Sequence, residues 1–284
     1  MAQAVGFFTD TTLCIGCKAC EVACKEWNQL PNNPLEFRDS YDNTGQLDHA
    51  NWRHVRFIES TTTSPDKPIA WSMMSDVCKH CANASCLEVC PTDAIIRTEF
   101  DTVFIQQDVC NGCRDCISAC PYGVIGFNST SGTAQKCTFC YDRLQNNLKP
   151  ACATACPTQS IKFGPLDELR QTAATRLATL KAQGVSQAQI YGDKEYGGLH
   201  AFFLITEKPE AYALPSAQSA VLPSRNNFPG YLTATITAIL AGLAGLIAFR
   251  RRGEAPTTPS PSPGAGTGGS SPSPARGGGQ GGGT

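Results

Sequence analysis

The chain has 284 residues, 16 of them cysteine, and a formal net charge of −1 at pH 7. That length fits one or two domains, and a near-neutral charge argues against nucleic acid or a strongly acidic substrate as partner. Lys and Arg are scattered apart from the run Arg250-Arg251-Arg252.

Met1–Thr12 has no basic n-region, no apolar stretch of signal-peptide length and no twin-arginine pair, which by itself points to the cytoplasm. The first cysteine block follows as Cys14-x2-Cys17-x2-Cys20-x3-Cys24. A polar insertion, Glu26 to Asp76, separates it from the second block, and within it Trp52–Ile58 alternates enough for a strand on a subunit surface. Block two is Cys78-x2-Cys81-x4-Cys86-x3-Cys90-Pro91, and block three is Cys110-x2-Cys113-x2-Cys116-x3-Cys120-Pro121. The fourth block is split into Cys137-x2-Cys140 and, eleven residues on, Cys152-x3-Cys156-Pro157. Short strands are expected after the blocks, at Ala94–Ile96, Thr102–Ile105, Val124–Phe127 and Ile161–Phe163.

Three chemistries use many cysteines. Disulfides have no reason to repeat x2, x2, x3 spacing. Zinc uses Cys-x2-Cys but leaves the third and fourth cysteines of each block without a role. Iron–sulfur clusters account for all of them, and block three matches the bacterial ferredoxin run residue for residue. Two residues between ligands let a tight loop wrap a cubane, and Gly16 and Gly112 suit positive φ. The fourth cysteine is expected to open a short helix pointing away, with proline in its first turn, and to bind the other cluster of a pair. Lys25 replaces that proline in block one, leaving its helix start less rigidly set.

Blocks two and three lie close enough to form one dicluster module, so blocks one and four form the other, around it. Crossing the fourth ligands assigns Cys14, Cys17, Cys20 and Cys156 to a first 4Fe–4S cluster. The second takes Cys137, Cys140, Cys152 and Cys24. The third takes Cys78, Cys81, Cys86 and Cys120, and the fourth Cys110, Cys113, Cys116 and Cys90. Four clusters in one chain make a wire for electrons. His49, His54, His80 and His200 are then ordinary surface or core residues, and Lys136, beside Cys137, is read as solvated rather than as a tuner of potential.

Pro165 to Gly184 reads as an amphipathic helix, with Leu166, Leu169, Ala173, Leu177 and Leu180 at helical spacing. Ala201–Ile205 reads as a buried strand. From Asn226 to Phe249 no side chain is charged, and Tyr231–Phe249 approaches the ~20 residues that cross a hydrocarbon core. Phe228, Pro229 and Tyr231 mark one interface and the arginine run the other, while Ala238, Gly242 and Gly245 permit close helix contact. The arginines put the C-terminus in the cytoplasm and the cluster domain outside. A chain without its own leader would then cross the membrane folded, carried by a partner with a twin-arginine signal. Gly253–Thr284 is Pro-, Gly- and Ser-rich and reads as disordered.

The fold class is thus α+β: two nested bacterial ferredoxin-like (dicluster) modules, one C-terminal transmembrane helix and a disordered tail. The expected domains are 1–70 with 130–225 (outer module), 71–129 (inner module), 228–249 (transmembrane helix) and 250–284 (tail).

From residue 8 to about residue 250 the sequence resembles the iron–sulfur (beta) subunits of membrane-bound formate dehydrogenases, among the four-cluster electron-transfer subunits of molybdopterin oxidoreductases. The resemblance rests on Cys14–Cys20, all four blocks, Gly197-Gly198-Leu199-His200 with the strand after it, and the single apolar C-terminal segment. It implies a non-catalytic subunit held between a molybdenum or tungsten pterin catalytic (alpha) subunit and an integral membrane cytochrome b or quinone-binding (gamma) subunit. The outer module would face the catalytic subunit and the inner module the membrane one. The electron-transfer subunit of a membrane nickel–iron hydrogenase, or of a sulfoxide, polysulfide or tetrathionate reductase, is the alternative.

Overall fold

The computed structural model describes residues 3–32, 41–42, 44–61, 69–215 and 228–253. Parts of the polar insertion and the tail beyond residue 253 lie outside them. Strand β1 (Val5–Asp10) runs into a single turn at Thr11–Leu13, where Asp10 Oδ1 accepts the Thr12 N–H at 3.0 Å. Block one leads into α1 (Ala19–Trp27). The insertion holds a hairpin of β2 (Arg53–Thr61) and β3 (Ile69–Val77). Block two contains α2 (Ser85–Glu88), followed by the hairpin β4 (Ile95–Arg97) and β5 (Val103–Ile105). Block three contains α3 (Asp115–Ala119), followed by the hairpin β6 (Gly126–Asn128) and β7 (Thr133–Gln135). Block four carries α4 (Tyr141–Gln145) and α5 (Ala151–Thr154). Then come β8 (Ile161–Pro165), α6 (Leu166–Ala182), β9 (Gln189–Tyr191) and β10 (Ala201–Ile205). This mixed content is that of an α+β protein.

The largest sheet has the order β8-β1-β10-β9, and β1 lies parallel to β10 but antiparallel to β8. Neighbouring side chains of a strand point to opposite faces, and β1 buries both. Phe7 turns toward the cysteines and stacks on Phe139 with ring centroids 4.1 Å apart. Phe8 turns the other way, stacks on Phe202 at 5.4 Å and joins the core that Leu166, Leu169, Ala173 and Leu180 of α6 complete. Each fully buried phenylalanine contributes about 1.5–3 kcal/mol. The sheet therefore separates a conventional aliphatic–aromatic core from one built around thiols. Helix α1 packs on α5, and α2 on α3.

Several local expectations are corrected. The polar insertion contains two paired strands, not one, and the N-terminal end of β2 is no surface strand: Arg53, His54 and Val55 are buried. The strand after block three starts at Gly126 rather than Val124. The short helices begin at or just before the third cysteine of each block, and the fourth cysteine sits at their end: Cys90 follows α2, Cys120 caps α3 and Cys156 follows α5. Proline after that cysteine is accordingly a stop, not a first-turn residue, because its ring clashes with the carbonyl of a preceding turn. Block one confirms the logic from the other side. With Lys25 in place of proline, α1 continues past Cys24 for nine residues in all, against four or five in α2, α3 and α5.

Met1–Arg225 forms one compact unit and Asn226–Thr284 a second, whose described part is α7 (Phe228–Gly253). Gly230–Arg251 is long and apolar enough to cross a membrane, with a mean hydropathy of 2.1. Ile236, Ile239, Leu240, Leu243, Leu246 and Ile247 are all exposed, as a lipid-facing helix requires. The helix runs on through Arg250–Gly253, beyond the span expected from the uncharged stretch.

Candidate metal centres

The loops of blocks one and three repeat one backbone pattern. Gly16 has φ +67° and Gly112 φ +71°, and a Cβ at Gly112 would stand 2.2 Å from the Gly132 carbonyl oxygen. Two residues on, Lys18 and Arg114 also take left-handed conformations, with φ 59° and 70°, immediately before α1 and α3. A left-handed residue with a side chain costs roughly 1–2 kcal/mol. Here it turns the chain so that the following helix carries the third cysteine back toward the first two.

None of the sixteen cysteines is in a disulfide. Cys14, Cys17, Cys20 and Cys156 line a single pocket together with Val55, Ser75 and Ile161. Cys24 is not part of that lining, and its charge neighbours are Cys137, Cys152 and Cys140 of block four. Cys81 is surrounded by Cys78, Cys86 and Cys120. Cys116 is surrounded by Cys110, Cys113 and Cys90. In every block, then, the fourth cysteine stands with three cysteines of a different block. The groups also feel one another's charge in order: Cys152 acts on Cys20, Cys78 on Cys137, and Cys116 on Cys86.

Burial pushes the thiols upward. Cys20 and Cys86 rise to about 12, and Cys116 and Cys140 to about 11, with desolvation first in each case and neighbouring cysteines adding to it in the last two. Metal binding to such thiols releases their protons and leaves thiolates as the ligands. Among the described residues no group of three His, Cys, Asp or Glu side chains closes on a single-ion position. Zinc would draw its sulfurs to within about 3.8 Å of each other, from Zn–S bonds of about 2.3 Å. Foursomes of thiols suit a polynuclear cluster, where each sulfur ends on its own iron.

Sequence reading missed two polar side chains around these groups, Arg53 and Ser75, and misplaced a third, Lys136. Arg53 is 2% exposed, donates from Nη2 to Cys152 Sγ at 3.1 Å and lies over the Phe7 ring. Ser75 Oγ lies 3.1 Å from Cys20 Sγ. Lys136, expected in solvent, is 3% exposed and donates to the carbonyls of Val103 at 2.5 Å and Cys137 at 3.1 Å. Its correction has a physical reason: burial would lower its pKa, but Cys78, Cys86 and Cys137 around it hold it above the usual ammonium range. The residues around position 136 offer only Cys137 as a hint of this, because the other stabilising charges, Cys78 and Cys86, arrive from the second block. His54, His80 and His200 are core residues bonded to protein groups: His54 Nε2 meets Asp42 Oδ1 at 2.6 Å, His80 Nδ1 accepts the Val103 N–H at 3.1 Å, and His200 Nδ1 lies 2.9 Å from the Val5 carbonyl.

Two family models, each described as a 4Fe–4S dicluster domain, match residues 13–94 and 69–166. With sixteen cysteines in four groups, they define a ferredoxin-like electron-transfer protein that carries four 4Fe–4S clusters. The nitrate-inducible formate dehydrogenase iron–sulfur subunit of Escherichia coli (strain K12) is 35% identical over 242 residues, covering 84% of this chain and 81% of that one. The formate dehydrogenase iron–sulfur subunit of Haemophilus influenzae is 37% identical over 207 residues, 72% of this chain and 65% of its own. One subunit of the anaerobic dimethyl sulfoxide reductase of E. coli is 38% identical over 174 residues, 60% of this chain and 78% of its own. The chain belongs to the family of the formate dehydrogenase iron–sulfur subunits.

Proposed function

We propose that this chain conducts electrons from a molybdenum or tungsten pterin catalytic subunit that oxidises formate to an integral membrane subunit bearing cytochrome b or a quinone site. The observation that carries the reading is the extent of the likeness to formate dehydrogenase iron–sulfur subunits, which runs through 84% of the chain. The proposed ligand sets are the four given by the sequence: Cys14, Cys17, Cys20 and Cys156; Cys137, Cys140, Cys152 and Cys24; Cys78, Cys81, Cys86 and Cys120; Cys110, Cys113, Cys116 and Cys90. The company each cysteine keeps supports these sets. The pairing of α1 with α5 and of α2 with α3 supports an inner dicluster module nested in an outer one, and the boundaries proposed for it lie near residues 70 and 130. The electrostatic influence of Cys152 on Cys20, of Cys78 on Cys137 and of Cys116 on Cys86 supports a wire in the order first, second, third, fourth.

The apolar helix α7 supports a single-pass anchor, and Arg250–Arg252 argue for a cytoplasmic C-terminus with the cluster unit outside. Protease added to spheroplasts should then digest the cluster unit; full protection would overturn the sidedness alone. The function is tested by purifying the native complex and following dye reduction. Formate-driven reduction of all clusters, with molybdenum or tungsten present, is the expected result. A complex loaded with iron but inert to formate, and holding nickel instead, would move the chain to a hydrogenase.

A further inference from the structure

We infer that Arg53 and Ser75 form a polar bridge between the first and second cluster sites and jointly raise the reduction potentials of that pair, leaving the third and fourth sites unaffected. The inference rests on the ligand sets proposed above. In the β2–β3 hairpin Arg53 is opposite Val77 and Val55 is opposite Ser75, so Arg53 and Ser75 are diagonal neighbours on one face. Both are buried, at 2% and 1% exposure. Ser75 Oγ lies 3.1 Å from Cys20 Sγ, in the first ligand set. Arg53 Nη1 donates to that same Oγ at 3.3 Å and to the Ser75 carbonyl at 3.3 Å. Arg53 Nη2 donates to Cys152 Sγ, in the second set, at 3.1 Å. Three hydrogen-bonded links thus span from a ligand of one site to a ligand of the next.

The chemistry of the guanidinium makes this more than packing. Arginine stays protonated in proteins, and a buried charge is costly unless an opposite charge compensates it. Among the described residues no carboxylate pairs with Arg53; its charged neighbours are Cys152, Cys20, Cys137 and Cys24. The thiolates of two cluster sites are therefore what makes this buried cation tolerable. Adding an electron to either site adds one negative charge, which a fixed cation and a hydroxyl donor to sulfur both favour. In a water-excluded site that attraction is weakly screened. Arg53 reaches both sites, whereas Ser75 touches only the sulfur of the first.

Electron paramagnetic resonance redox titration of the purified complex, with iron counted in every preparation, tests the bridge. In Arg53→Gln two of the four midpoints should fall, the reduction equilibrium becoming at least tenfold less favourable, or about 59 mV per tenfold change. In Ser75→Ala one midpoint of the same two should fall, by a smaller step. Arg53→Lys, which keeps the charge, should stay nearer the wild type than Arg53→Gln. The inference is overturned if all midpoints stay put in fully loaded Arg53→Gln, if all four move together, or if Arg53→Lys falls as far as Arg53→Gln. Should Arg53→Gln fail to assemble, Ser75→Ala decides: one midpoint of the pair must fall while the other three stay put, and no shift, or a shift of all four, overturns the inference. A wild-type complex without four titrating clusters would instead refute the ligand sets.

Discussion

Lys25 stands where the other three blocks carry proline, and replacing it with proline separates helix length from cluster binding. In α1 residue 25 lies in the last turns of a helix that ends at Trp27. Proline there removes one main-chain hydrogen bond and clashes with the preceding turn, at a cost of about 3 kcal/mol. It also removes the ammonium that donates to the Ala50 carbonyl at 3.3 Å and to Asn51 Oδ1 at 2.9 Å. Beyond the break, Trp27 loses the support that aims its Nε1 at Asp142 Oδ2, 2.9 Å away, under the Arg143 guanidinium. Lys25→Ala is the control, since it deletes the side-chain bonds and keeps the helix. Hydrogen exchange of the purified complex reads the difference. The amides after Cys24 should exchange roughly 150-fold faster in Lys25→Pro than in Lys25→Ala. Iron content should not change, because proline occupies the equivalent position in the other three blocks. Unaltered exchange would refute the role of proline as the stop signal. Loss of iron would show that residue 25 controls ligation instead.

Other expectations follow from particular contacts. Lys136→Met strands two buried carbonyls, each costing about 1–3 kcal/mol, and should lower the melting temperature of the complex while leaving its iron in place. Gly112→Ala forces a Cβ to 2.2 Å from the Gly132 carbonyl oxygen in a left-handed loop, and should release iron from the third-block loop before any other. Burial alone would raise the Asp76 pKa, but Lys79 and then Arg56 hold it below the ordinary carboxylate value. A depressed carboxylate stabilises the fold above the unfolded value, about 3.9, and that contribution is lost as pH falls through the folded one. Acid unfolding below about pH 4 should therefore be less steep in Asp76→Asn, which is also less stable at neutral pH. Ending the chain at Arg225 should leave the cluster unit folded and move it from the membrane fraction to the soluble one.

What the sequence discloses here is what short range dictates. Cysteine spacing, Gly16 and Gly112, the periodic face of α6 and the uncharged run of α7 are all local, and each is present where the residues indicate. The failures have two physical sources. Proline fits both the first turn of a helix and the residue after its last, so spacing alone leaves the helix polarity around Cys90, Cys120 and Cys156 undecided. Long-range partners are also invisible locally. Nothing near Phe7 announces that β1 pairs with Ala201–Leu204, nor does anything near Arg53 announce Cys152, 99 positions away. A polar insertion with alternating residues looks like surface because the cysteine thiolates that balance its arginine lie in other blocks.

The most direct test of the four-cluster wire is a coulometric titration of the purified complex combined with iron analysis of this subunit. About sixteen irons per chain, and about four electrons taken up by them, are the expected result. A subunit holding eight irons or fewer, or accepting two electrons, would contradict the account.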